Sequence, residues 1–220
     1  MADQILSQEE IDALLSAMDS GEIDVADEKQ VVEMVANLEK EVGPIDILIN
    51  NAGINIRSEL LNFSAQKFKE VIDINLLGPF IVSKIVGKGM ISRKSGKIIN
   101  ICSMMSELGR NSVGAYAASK GGLKMLTKNM ATEWAKYNIQ VNGIGPGYFA
   151  TDLTAPLREK DNPFNDFIIN RTPAGRWGEP EELIGAAIFL SSKASDFVNG
   201  HILYVDGGIL ATIGKPANEI

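Results

Sequence analysis

Apolar positions along the chain change period several times, and the changes outline alternating helices and strands. Ile11, Leu14, Leu15 and Met18 fall on one helical face. Ser7, followed by Gln8, Glu9 and Glu10, sets a capping box ahead of them, with Leu6 and Ile11 placed for a hydrophobic staple. Gly21 ends this short amphipathic helix. Its apolar stripe demands some apolar surface, and spacing alone leaves two readings open. The helix docks on the remainder of the chain, or it is a detachable partner-binding element.

Beyond it, residues 26–42 read as a helix on Val31, Val32, Met34, Val35 and Leu38, and residues 45–49 as a short apolar strand. A long helix over 64–88 precedes a strand over 97–101. A helix over 113–136 precedes a strand over 139–144, and a helix over 180–190 precedes a last strand at Ile202–Val205. Glu181 and Glu182 stand in the first turn of that last helix, where its dipole favours them. Strands apolar throughout, separated by helices, mean a parallel sheet covered on both faces. Residues 151–179, rich in Pro, Thr and Asn, read as an irregular lid over a pocket. The division expected is a tail at 1–22 and one α/β domain at 23–220.

Composition narrows the function classes. With 45% hydrophobic and 22% charged residues, the 220-residue chain has the balance of a globular domain with a real core. A net charge of −7 argues against nucleic-acid and anionic-membrane partners. The one cysteine, Cys102, lies in an apolar run, excludes an internal disulfide and reads as a small core residue. No secretory signal pattern and no bilayer-length apolar run is legible, so the expectation is a cytoplasmic protein.

Tyr116 and Lys120 stand one helical turn apart, on one face. A free phenol titrates near ~10, too high for easy proton exchange at neutral pH. A neighbouring ammonium favours the phenolate, which would make the pair a workable general acid/base. By itself such a pair is usually a solvated face. Its context carries more weight. Ser103 lies just past the strand at 97–101. Asn50, Asn51, Ala52 and Gly53 follow another strand end, and Pro146 and Gly147 a third, with Thr151 beyond. Open α/β sheets bind ligands at the carboxyl ends of their strands. Small and polar residues at three successive ends mark one pocket there.

These residues, in this order and spacing, resemble the short-chain dehydrogenase/reductase family. The resemblance rests on Asn50-Asn51-Ala52-Gly53, Asn75, Ser103, Tyr116-Ala-Ala-Ser-Lys120 and Pro146-Gly147, and covers nearly all of the chain after residue 23. It implies an enzyme that interconverts a secondary alcohol and a ketone with NAD or NADP. Tyr116 would exchange the proton with the substrate oxygen. Lys120 would hold the ribose hydroxyls and depress the Tyr116 pKa. Ser103 would hydrogen-bond the substrate oxygen, and Asn75 would anchor a relay water. Asn51, Ala52 and Gly53 would line the ribose, Asp24 would touch the adenine, and Phe149 and Thr151 would hold the carboxamide beside Pro146 and Gly147. No metal is implied. A homo-oligomer through the helices at 64–88 and 113–136 is. Within the family, residues 101–110, 154–158 and 200–210 are similar to gluconate 5-dehydrogenases and 3-oxoacyl-carrier-protein reductases, which suggests a polyol or sugar acid as the small-molecule substrate. Arg57, Glu107 and Arg110 could read its hydroxyls or carboxylate, although surface charge is the more ordinary role for each. His201, the only histidine, falls beside the last strand, away from the pocket.

One departure from the family pattern is large. No Gly-x-x-x-Gly-x-Gly precedes Asn50, and neither does the residue that separates NAD from NADP. The fold class expected is therefore a truncated Rossmann-like, doubly wound parallel sheet lacking its first two strands, with an extra N-terminal amphipathic helix. Loss of the anion-binding turn would weaken cofactor binding and impair activity. The strand at 45–49 would become an exposed sheet edge. Residues 5–15 instead resemble the N-terminal peptide of a flagellar motor switch protein. An alternative function follows: a non-catalytic fusion chain whose residues 5–18 bind a chemotaxis response regulator.

Overall fold

The structure, a computed structural model, describes residues 23–159 and 161–214. The predicted N-terminal helix, the division at residue 22 and the response-regulator site lie outside the described residues. Helix α1 (Glu28–Glu41) starts at Asp27, whose carboxylate accepts from the amides of Lys29 and Gln30 at 2.9 and 3.2 Å. That bond satisfies amides the helix leaves unpaired at its first turn. Val31 and Val35, one turn apart, are its buried stripe.

Four parallel strands follow in chain order: β1 (Ile47–Asn50), β2 (Gly96–Ile101), β3 (Ile139–Pro146) and β4 (Ile202–Val205). Between them run α2 (Ala65–Ile72), α3 (Gly78–Arg93), α4 (Gly114–Trp134), α5 (Pro163–Arg171) and α6 (Ile184–Ser191). The period of two along β2 divides the core. Ile98 joins Val31, Val35, Ile81, Val86, Met90 and Met130 on the face covered by α1, α3 and α4. Ile99 joins Ile144, Ala186 and Leu190 beneath α6. A doubly covered parallel sheet was legible in the sequence.

Three details differ from the sequence reading. The long helix runs on to Arg93, five residues further, where Lys94 closes it in the left-handed conformation at φ 55°. It also breaks at Asp73–Leu77 into a π-helical turn. The lid at 151–179 holds a helix of its own, α5, started by Pro163 and by an Asn162 side chain that accepts from the Phe164 amide. A fourth correction concerns length and composition alone. The helical stretch Ala65–Arg93 contains 18 successive residues with a mean hydropathy of 1.3, apolar and long enough to cross a bilayer, but half of those 18 are buried within this fold.

Asparagines in the strands tie the sheet to its helices. Asn50 Nδ2 donates to Ser83 Oγ on α3 at 2.9 Å and to Asn100 Oδ1 on β2 at 2.8 Å. Asn100 Nδ2 donates in turn to Thr127 Oγ1 on α4 at 2.8 Å. Asn100 and Thr127 are fully buried, so each bond replaces water that cannot reach it. The network sits where β1 and β2 end, and it holds those ends in register. Asn100→Ala removes two buried hydrogen bonds, from Asn50 and to Thr127, and the expected loss is about 2–3 kcal/mol in urea unfolding. A loss below about 0.5 kcal/mol would show that the network is dispensable.

Among the described residues β1 pairs only with β2, at the sheet edge. Leu48 packs on the α1 and α3 side. Ile47 and Ile49 point to the other face and are each 45% exposed. This is the apolar edge expected from the sequence. Replacing both with Thr keeps strand propensity and removes apolar surface. Light scattering over a concentration series should then show less self-association than the parent chain, and identical association would refute the edge as its cause.

Candidate active site

Helix α4 places the central pair. Lys120 lies on its first full turns among Ala115, Ser119 and Leu123, all buried, so the ammonium points inward rather than to water. Lys120 itself is 4% exposed. Its Nζ donates to the backbone carbonyl of Ile101, at the end of β2, over 2.6 Å. Tyr116 is on the same helix face, with Lys120 Nζ 5.7 Å from its ring centroid. Ser103 leaves β2 two residues later and caps a short 3-10 turn at Met104–Ser106 through a bond from the Met105 amide to its Oγ at 3.1 Å. Its side chain lies near enough to the Tyr116 phenol to favour the phenolate. Strand end and helix thus bring Ser103, Tyr116 and Lys120 together.

Electrostatics modify the expectation. Burial pushes the Tyr116 phenol above its ordinary value, and the Ser103 side chain pulls it partly back. Lys120 is not among the groups that lower it. Burial drives the Lys120 ammonium down to about 8, so the cation that should favour the phenolate is itself poorly solvated. Cys102, between Ile101 and Ser103 in sequence, is buried against Leu123 and Ile202, and desolvation lifts its thiol to about 11. It is the inert core residue the sequence suggested.

Asn75 sits in the π turn and is fully buried. Its Oδ1 accepts from the Ile54 amide at 2.8 Å. Its Nδ2 donates to the Ile54 carbonyl at 2.9 Å and to Ser119 Oγ at 3.0 Å. Both amide protons are thereby committed inside the protein. The visible task of Asn75 is to clasp the loop after β1 onto α4. That loop carries Asn51, Ala52 and Gly53, all exposed at the strand end. A Cβ on Gly53 would stand 3.3 Å from Asn75 Oδ1 and 3.6 Å from Lys120 Nζ. Only glycine leaves that approach open.

The third strand end holds Pro146 and Gly147. Gly147 lies so close to β4 that a Cβ would meet the Asp206 Cα at 2.7 Å. Past it, Phe149 bridges to Gly178, and its carbonyl accepts from the Thr151 amide and from Thr154 Oγ1 at 3.1 and 2.8 Å. Asp24 lies apart from these groups in chain and contact. Its carboxylate accepts from the Ala26 amide in the exposed turn before α1. Because α1 descends to the start of β1, that turn belongs to the carboxyl-end layer of the sheet.

Of the three charged candidates, two have surface roles. Arg57 is exposed and donates to Ser112 Oγ from Nε and Nη2. Glu107 accepts from Lys124 and from Tyr204, and the Lys124 ammonium holds its carboxyl below the usual range. Arg110 differs. Its Nε and Nη1 are buried without a hydrogen-bond partner among the described residues. His201 is exposed on the far side of β4, as expected. Sequence reasoning passed over Ser106, whose Oγ donates to the Lys120 carbonyl, and Ser119, which links Asn75 to the Tyr116 carbonyl. The Ser103-x-x-Ser106 spacing was a legible cap signal for the first; nothing marked the second.

A family model described as enoyl-(acyl carrier protein) reductase matches residues 4–210. The chain is a short-chain dehydrogenase/reductase. It is 69% identical to the 2-dehydro-3-deoxy-D-gluconate 5-dehydrogenase of Formosa agariphila, over 97% of this chain and 83% of that protein. It is 51% identical to the 5-keto-D-gluconate 5-reductase of Escherichia coli, over 97% and 82%. A crystal structure of a gluconate 5-dehydrogenase from Burkholderia cenocepacia in complex with NADP and tartrate superimposes with a TM-score of 0.85 at 46% identity, covering 94% of this chain and 84% of that one. The alternative of a non-catalytic fusion chain finds no support in these comparisons. Family members of this kind use NAD(P), as the sequence led one to expect.

The residues of this dehydrogenase fit the nicotinamide–ribose half of such a cofactor. Gly53 is cleared of side chain beside Lys120 Nζ, and an ammonium with three protons shows one bond, to Ile101. The buried ammonium has a linkage consequence. Its folded pKa of about 8 lies below the ordinary 10.5, so between these values the unfolded chain binds more protons and stability rises with pH. From pH 8 to 9 the gain from this group is about 1 kcal/mol. Cys102 opposes it from about pH 8 upward, as the unfolded thiol titrates around its ordinary 9.0, and offsets about 0.3 kcal/mol of that gain. Urea unfolding at pH 8 and 9 should show the rise in the parent chain and a flatter dependence in Lys120→Met. Equal slopes would mean that Lys120 is not desolvated.

Proposed function

We propose that this chain reduces a ketone on a sugar acid, and oxidises the matching secondary alcohol, with NADP(H), in the class of 5-keto-D-gluconate and D-gluconate. The observation that carries the reading is the meeting of Ser103, Tyr116 and Lys120 at the end of β2. The substrate class draws support from the relatives, which are named for gluconate, 5-keto-gluconate and 2-dehydro-3-deoxy-gluconate. Tartrate in the Burkholderia complex, a small hydroxy acid, points the same way. NADP is preferred over NAD because several similar structures carry it.

The cofactor supplies hydride to the carbonyl carbon when bound. Everything else falls to the protein. The Ser103 hydroxyl hydrogen-bonds the carbonyl oxygen and stabilises charge developing there. Tyr116 gives that oxygen its phenolic proton, and in the reverse direction takes it back. Lys120 holds ribose hydroxyls and supplies positive charge as the phenolate forms. Asn75 and Ser119 position the loop and the helix that carry these groups. Asn51, Ala52 and Gly53 line the ribose, with Pro146, Gly147, Phe149 and Thr151 on the carboxamide side and Asp24 at the adenine.

The working form is a homo-oligomer built through α2–α3 and α4, where Leu77, Phe80 and Met125 leave apolar surface exposed. A reducing, cytoplasmic setting suits its lone buried thiol. The test is NADPH oxidation in the presence of 5-keto-D-gluconate. Tyr116→Phe should lower kcat by about 100-fold or more while the protein stays folded, since general acid catalysis is worth roughly that factor. Full activity in that variant would exclude Tyr116 as the proton donor.

A further inference from the structure

Arg110 leaves the loop after the 3-10 turn at Met104–Ser106, four residues before the start of α4 at Gly114. Its guanidinium lies 4.8 Å from the Phe164 ring centroid and 5.9 Å from that of Tyr148. Those rings, with Trp177, form an edge-to-face cluster that connects α5 to the loop after β3. Tyr148 and Tyr116 pack against one apolar cluster of Met104, Met105, Val113 and Ile209. Arg110 is thereby tied, through Tyr148, to the apolar cluster that also supports the Tyr116 ring.

The charge around it is unbalanced. Nε and Nη1 carry three of the five N–H donors, and none meets an acceptor among the described residues. The charged groups acting on this pocket are cations: Arg57 beside Arg110, and Arg57, Arg110 and Arg171 around Tyr148. Arg171 is bound to the Ile209 carbonyl and Arg57 to Ser112. Glu107, the nearest carboxylate in sequence, is bound to Lys124 and Tyr204 instead. A desolvated cation with no anion is costly, and a surface role does not require it. A carboxylate entering from the Tyr116 side would supply what is lacking, through charge-assisted hydrogen bonds.

We propose that Arg110 is the substrate-carboxylate receptor, the residue that selects a sugar acid over a neutral polyol or ketose. The assignment rests on the sugar-acid reading above and adds the group that enforces it. Its stacking on Phe164 couples the carboxylate to α5, so the lid helix senses whether the acid is in place.

The test compares D-gluconate with D-gluconamide, which differ only in charge at that end. Trp177, 5.6 Å from the Tyr148 ring, reports occupancy by its fluorescence without turnover. The parent chain should bind gluconate at least about 30-fold more tightly than the amide, with the same preference in kcat/KM, as expected for a charged group left unpaired by the wrong ligand. Arg110→Gln should erase the preference through KM rather than kcat, and Arg110→Lys should restore part of it. A preference that survives in Arg110→Gln overturns the assignment. If the variants fail to fold, the parent chain decides alone, because equal binding of acid and amide also overturns it. Carboxylate binding that depends on Arg110, without any turnover, would sink the sugar-acid dehydrogenase reading and leave Arg110 as an anion receptor. Turnover that ignores Arg110 would do the reverse.

Discussion

The site is organised around a buried cation. Lys120 is 4% exposed and held by one backbone carbonyl, that of Ile101. Desolvation pulls its pKa to about 8, so keeping the charge inside costs stability at neutral pH. The fold tolerates this cost because the surroundings are otherwise well paired. Asn50, Asn100 and Thr127 satisfy one another at the ends of β1 and β2, next to the carbonyl that receives the ammonium. Without that register, the Ile101 carbonyl would not face α4, and the ammonium would have no partner in the protein.

The same logic explains why the phenol is raised rather than lowered in the structure. The walls that hold Tyr116 beside Ser103 also exclude water from it. A group poised for proton transfer needs an environment that favours its anion, and the protein walls alone do not supply one. The polar hydroxyls of a ribose and of a substrate would restore solvation on the open side, while Lys120 supplies charge from the closed side. The protein thus prepares positions, and the ligands complete the electrostatics.

Much of this was legible in the residues. The two-sided burial of the strands follows from their unbroken apolar runs, and Tyr116, Lys120 and Ser103 follow from the strand-end rule joined to an i, i+4 pair. The rest depended on three dimensions. A period of 3.6 does not reveal the π turn at Asp73–Leu77, because five residues are too few to show a change of phase in the apolar pattern. Yet that turn aims Asn75 at Ile54 and Ser119. Helix α5 was hidden in a segment whose Pro and Asn content reads as loop; Asn162 and Pro163 are in fact its start signals. Arg57, Glu107 and Arg110 looked alike as charges, and only their partners separate them.

Arg110 shows how a residue can break a local rule to useful effect. A cation among Phe164 and Tyr148 gains some attraction from their ring faces, about 1–2 kcal/mol when desolvated. That is less than the cost of burying its unpaired N–H groups. Packing alone would favour an apolar side chain at this position, so the arginine is better understood as half of an ion pair completed by a ligand. Two cations without a carboxylate partner among the described residues, Lys120 and Arg110, give the crevice a positive character inside a chain of net charge −7. Overall acidity speaks of solubility; the local sign at the site speaks of what the site receives, and here the two are opposite.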